Sequence, residues 1–281
     1  MTNNRLSAAS KIGIYTALVL LSIPALMPML WMVSTSLKGN EQIFAGGDFN
    51  FKALIPSPLV TTNYPDALQN MPFFLYLRNT LLLCGLTVVG AVASSALVAY
   101  GFAKIEFRGK KVWFAVMIAT MALPGQVTMI PVFSLFRSLG WYGTYLPLVV
   151  PSFAASAYYV FLLTQFFKTL PMEMSEAAQV DGAGDWTIFR SLVLPLSKPA
   201  LATCALFQFI GTWNDFLGPL LYINDPAKYT LAYGLQQFVS HYGGFFAQLM
   251  AAATIFTLPI IVLFFFAQKT FIQGIATTGG K

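Results

Sequence analysis

The sequence predicts an all-α membrane protein with six transmembrane helices and one structured insert between the fourth and fifth. Three observations carry that prediction. The 281 residues are 57% apolar and only 9% charged, whereas a soluble domain carries roughly 25% charged residues. Six stretches reach the roughly 20 apolar residues that a helix needs to cross a bilayer. The few basic residues cluster on alternate sides of those stretches.

The first stretch, Ile12 to Leu37, is free of charge over 26 residues. That is well beyond a cleavable signal core of about 7–15, and no Ala-x-Ala site follows it. It is expected to stay as an anchor. The second, third and fourth stretches cover 79–103, 112–136 and 145–167, and none contains a charge. The fifth, 199–223, contains one, Asp215, and the sixth, 246–268, contains none. With the N-terminus inside, the inner segments hold eleven Lys and Arg and the outer ones five. The positive-inside rule then places both termini and the 168–198 segment in the cytoplasm.

Two outer segments are longer. One, 38–77, carries Pro56, Pro58, Pro65 and Pro72, which reads as an extended lid or docking loop. The other, 224–245, reads as a short helix with a glycine break at "HYGG". The second span carries Gly90, Ala91, Ser94, Ser95 and Ala99, a small face suited to close helix packing in lipid. Cys84 and Cys204 sit in apolar runs and read as packing residues, and with one histidine, His241, no metal site is expected. The net charge of +6 lies between spans as a topology signal and does not point to nucleic acid.

The insert breaks the apolar pattern: "LPMEMSEAAQVDGAGDWTIFRSLVLPLSKPAL" runs from Leu170 to Leu201. Pro171 suits a first helical turn, and Glu173 and Glu176 suit a helix N-terminus. Gly182 and Gly184 stop that helix. Asp185 caps a second short helix through Trp186, Ile188, Phe189 and Leu192. Pro195 and Pro199 turn the chain into the fifth span. Ala177 and Ala178 are small enough to enter a groove on another protein. The spacing holds no catalytic pair.

The segment resembles the EAA loop of ABC importer permeases: Glu-Ala-Ala, three residues, Gly, nine residues, then Ile-x-Leu-Pro. Here Glu176-Ala177-Ala178 is followed by Gly182 and, after nine residues, by Leu192, Val193, Leu194 and Pro195, with Leu192 in place of the isoleucine. "AAQVDGAGDW" is similar to the carbohydrate-importer version of the maltose type. "TWNDFLGPL", "YTLAYGLQQF" and "KTFIQGIATTGGK" resemble the second permease of such systems, so the likeness covers nearly the whole chain.

The resemblance implies the type I ABC importer fold, with a cytoplasmic coupling helix that docks into an ATPase subunit. Glu176, Ala177, Ala178, Asp181, Gly182, Ala183, Leu192 and Pro195 would carry that coupling. It implies four partners besides membrane lipid: a second homologous permease, two copies of an ABC ATPase and an extracytoplasmic sugar-binding protein. The chain has no Gly-x-x-x-x-Gly-Lys-Ser/Thr phosphate loop, so ATP and magnesium are expected on the ATPase and no cofactor on this chain. The setting is a bacterial or archaeal inner membrane.

A carboxylate within a span is a functional candidate by default. Asn214 and Asp215 can hydrogen-bond sugar hydroxyls, and Trp213 offers a ring face for stacking. The competing reading is a wet, structural Asp215 near the outer end of the span. An alternative class, a proton-coupled secondary sugar transporter with Asp215 as the proton carrier, leaves the insert unexplained. The substrate stays open among a disaccharide, an oligosaccharide and a polyol phosphate; the lack of an arginine cluster in the spans favours a neutral sugar.

Overall fold

A computed structural model describes residues 7–44, 51–241 and 245–276. Among the described residues the secondary structure is helical throughout. The chain divides into two compact units, one of Met1–Pro72 with Leu235–Leu258 and one of Phe73–Gly234 with Pro259–Lys281.

In the first unit, α1 (Ala8–Ser36) starts where the Ser7 hydroxyl accepts from the Ser10 amide at 3.1 Å. None of its most apolar window is buried, so its side chains are left for lipid or another chain. Its end is different. Lys38, only 4% exposed, donates to the Ala53 carbonyl and stands 5.1 Å from the Trp31 ring. The Asn63 amide donates to the carbonyls of Ser36 and Lys38 at 2.9 and 2.8 Å. These bonds, with one from Gln42 to the Ile55 carbonyl at 3.1 Å, draw α2 (Asn40–Phe44), a 3₁₀ turn at Phe51–Leu54 and α3 (Asn63–Asn70) into a folded cap. The proline-rich segment is therefore not an extended loop: a buried cation and a buried amide find their acceptors in its backbone. Asn70 donates to Gln248 at 2.9 Å, near the start of the last helix (Phe246–Ala276).

The second unit is built on α4 (Phe73–Lys104), which begins six residues before the charge-free run does. At 1.5 Å per residue it is about 48 Å long, well over the roughly 30 Å of hydrocarbon. The third apolar stretch is not one helix. It forms α5 (Lys110–Thr120) and α6 (Gly125–Ser138), at 93° to each other. Pro124 is the reason: it disfavours helical backbone at Leu123 and itself stands extended at ψ 134° as the N-cap of α6. Hydropathy records how apolar a run is, not its direction.

The fourth stretch is interrupted too. α7 (Leu146–Val149) passes into a 3₁₀ turn at Val150–Ala154, and α8 (Ala157–Thr169) follows. The amides of Ala155 and Ser156 at this break donate to the hydroxyls of Ser94 and Ser95 at 3.1 and 3.0 Å. The small face of α4 therefore does more than allow close packing; it supplies acceptors to a broken helix inside the bundle. Ala91, Ser95 and Ala99 are buried there, and both cysteines are free and buried as read.

After α9 (Met172–Val180) and α10 (Asp185–Leu196), α11 (Lys198–Trp213) bends 78° away from α10. It ends ten residues short of the stretch read as the fifth span. A break at Asn214–Phe216 leads to α12 (Leu217–Tyr222). α13 (Leu231–His241) runs up to residues 242–244, where the expected glycine break lies outside the described residues. The last helix, α14, continues past the expected end at 268 to Ala276. Among the described residues four helices are long and apolar enough to span a membrane, or up to six spans if each bent pair counts as one.

Candidate functional site

Two regions of the second unit carry the residues singled out from sequence. The first is 171–196. Pro171 is the N-cap of α9 rather than a residue of its first turn, and Glu173 stands in that turn. The helix closes on Gly182, whose φ of +86° suits glycine alone without strain. The Gly182 amide donates to Gln179 and the Ala183 amide to Ala178, both at 2.9 Å. This paired closure satisfies the last carbonyls of α9. Asp185 does not cap α10; the N-cap is Gly184, and the Asp185 carboxylate lies beside the Tyr100 hydroxyl of α4.

The two helices divide into an exposed one and an anchored one. Glu176, Ala177, Asp181 and Gly182 are exposed, while Ala178 and Ala183 are half-buried against the main core. Ala178 is thus small to fit its own chain, and Ala177 is left exposed. In α10, Ile188, Phe189 and Val193 are buried among Val160, Leu163 and Phe167 of α8, and the Phe189 ring lies 5.1 Å from Tyr100. A π turn at 189–193 precedes Pro195, closed by the Leu194 amide on the Phe189 carbonyl. Pro195 has no amide to give the Ser191 carbonyl, so the ladder loosens one turn early. Leu192 is half-buried and Pro195 exposed. Sequence reasoning missed the exposed apolar pair flanking the glycine turn, Val180 at 89% and Trp186 at 64%. Trp186 falls off the Ile188-Phe189-Leu192 stripe, which was the available signal.

The second region is the break after α11. Trp213 is fully buried, its ring stacked on Phe209 at 5.5 Å, and it presents no face to a sugar. Asn214 donates back to the Ile210 carbonyl at 2.8 Å. Asp215 does not lie within a continuous helix; its carboxylate accepts from the Gly218 amide at 2.9 Å and so starts α12. It also lines a cavity of about 260 Å³. Thr87, Gln208 and Thr212 line the same cavity. The Thr212 hydroxyl takes a hydrogen bond from Gln208 at 3.1 Å and shares another with Thr87 at 2.8 Å. Gln208, Thr212 and Asp215 recur at i, i+4 and i+7, which sets them along one side of the chain. That spacing was readable; Thr87 comes from another helix and was not.

The capping bond makes a measurable prediction. Asp215→Asn keeps an oxygen for the Gly218 amide, so thermal unfolding of the purified chain should hardly move. Asp215→Leu removes the acceptor and should cost about 1 kcal/mol. Equal losses in both variants would mean that charge, not the cap, holds the break together.

Residues 91–277 match the family described as binding-protein-dependent transport system inner membrane component. The probable ABC transporter permease protein YurM of Bacillus subtilis (strain 168) is 32% identical over 96% of this chain and 88% of its own length. The maltose/maltodextrin transport system permease protein MalG of Escherichia coli (strain K12) is 30% identical over 98% of this chain and 97% of its own. A chain in the crystal structure of a bacterial ABC transporter that imports the acidic polysaccharide alginate superposes with a TM-score of 0.78 at 25% identity, covering 94% of this chain and 98% of that one. On these matches the chain belongs to the binding-protein-dependent transport system inner membrane component family, as an ABC transporter permease subunit and not an enzyme.

Proposed function

We propose that this chain is one of two permeases of an ATP-driven carbohydrate importer and takes up the motion of an ATPase through the 171–196 segment. The observation that carries the proposal is the contrast between α9 and α10. α9 and its Gly182 turn offer Glu176, Ala177 and Val180 outward, while α10, whose first turn exposes Trp186, is anchored in the core by Ile188, Phe189 and Val193. A push on α9 therefore moves packed side chains rather than a free loop, because close-packed interiors transmit displacement. α10 leads straight into α11, and α11 into the polar break at Asp215.

ATP and magnesium would sit on two copies of the ATPase subunit, which ties both termini and this segment to the cytoplasm. A second permease would complete the pathway, and an extracytoplasmic sugar-binding protein would deliver the substrate. Asn214 and Asp215, with Gln208 and Thr212, are the proposed pathway residues; Trp213 supports them from the interior. Among the described residues no lysine or arginine lines that cavity, which fits a neutral sugar better than a phosphorylated one. The kinship with permeases of maltodextrin and alginate systems supports a carbohydrate.

The test is accessibility. A cysteine at Gln179, in otherwise intact cells, should react with an impermeant thiol reagent only after the membrane is opened. In opened membranes the ATPase subunit should slow that reaction at least tenfold. Labelling from outside, or equal rates with and without the ATPase, would end the proposal.

A further inference from the structure

A second cavity, of about 620 Å³, lies where α4 and α8 end and α5 begins. Its wall is aromatic: Phe102 stands 5.8 Å from Phe107 and 5.3 Å from Phe114. Its rim is basic, with Lys110, Lys111 and Lys168. Lys110 is already committed, donating to Glu106 at 2.8 Å and to the Ile105 carbonyl at 2.9 Å. That hydrogen bond, with the charges of Lys110 and Lys111, holds the Glu106 carboxyl below its ordinary range. Lys111 and Lys168 form no ion pair among the described residues, and both are exposed. The Lys168 ammonium lies 5.4 Å from the Phe114 ring, which keeps its charge at the edge of the aromatic wall.

The groove sits at the end of two helices apolar enough to span a membrane, Phe73–Lys104 and the segment that ends at Thr169. Aromatic rings and long basic side chains gather where helices leave the hydrocarbon. A free anion would use the two lysines and waste the wall; a neutral lipid would use the wall and leave the charges unmatched. We propose that this groove binds one anionic phospholipid, with its phosphodiester between Lys111 and Lys168 and an acyl chain along Phe102, Phe107 and Phe114. Basic pockets between spanning helices take such headgroups.

The experiment is native mass spectrometry of the full chain in neutral detergent, titrated with phosphatidylglycerol or phosphatidylcholine. The wild type should retain phosphatidylglycerol preferentially. The Lys111→Gln/Lys168→Gln pair should weaken that retention by roughly 10- to 30-fold, while Lys111→Arg/Lys168→Arg should keep it. Unchanged thermal unfolding of both variants shows that the groove is intact. Equal retention of the two lipids by the wild type, or undiminished preference in the glutamine pair, overturns the site. Displacement by inorganic phosphate or by the deacylated headgroup, at the lipid's own concentration, overturns the lipid assignment.

Discussion

Gly182→Val should leave the chain inserted in the membrane and abolish its recovery of an ATPase subunit, with sugar-stimulated hydrolysis lost in step. The cause is backbone, not space. A side chain at this position meets nothing within 4 Å, but the φ of +86° is a conformation that β-branched residues resist. The strain is worth about 1–3 kcal/mol, enough to open the closure on Gln179 and Ala178 and fray the last turn of α9. Val180 and Trp186 would then no longer flank a fixed turn. Gly182→Asn should be much milder, since asparagine visits the left-handed region. Glu176→Lys makes the companion variant: Glu176 has no ion-pair partner among the described residues, so reversing its charge should affect docking and leave the fold alone. The complex would be purified through a tag on this chain, the ATPase subunit quantified, and hydrolysis measured with and without binding protein. Normal recovery and normal stimulation in both Gly182→Val and Glu176→Lys would reduce the segment to a solvated loop.

The same glycine explains what the sequence could disclose. Gly182 follows a run of good helix formers and precedes a second glycine, so local chemistry alone ends α9 where it does. The six apolar stretches were legible because lipid imposes length and composition on anything that crosses it. Direction was not legible. Nothing in the hydropathy of 112–136 distinguishes one helix from α5 and α6 at 93°, and Pro124 reads equally well as a kink. Asp215 was misplaced for a related reason: an apolar run hides a break whose cause is a side chain capping the next turn. Lys38 was read as an outer loop charge, yet it is buried because Ala53 comes back to it from later in the chain and it folds over Trp31 of the preceding helix. Thr87 joins Gln208 and Thr212 only through tertiary packing. For Lys38 and Thr87 the missing information is non-local.

The bundle's own integrity should be most sensitive at Gly90. A Cβ there would come within 2.6 Å of the Ser152 hydroxyl oxygen and 2.7 Å of two carbons of the Phe153 ring. Those residues belong to the 3₁₀ turn that interrupts the fourth span. The turn is held by the Ala155 and Ser156 amides on Ser94 and Ser95, with Ala155 at a φ of +62°. Lipid gives no hydrophobic drive between helices, so this contact depends on close packing and hydrogen bonds. Gly90→Leu must push the turn away from α4. It adds an overpacking cost of about 1–3 kcal/mol and strands the two amides, at about 1–3 kcal/mol each. The expected result is a chain that aggregates on extraction or unfolds at a sharply lower temperature in detergent. Gly90→Ala should lose much less, because Ser152 and Phe153 can rotate aside. Phe153→Ala should then recover part of the alanine variant's loss, a coupling that a double-mutant cycle measures directly. If Gly90→Leu unfolds like the wild type, α4 and the 3₁₀ turn are not in close contact, and the serines of α4 do not serve as acceptors for the broken fourth span.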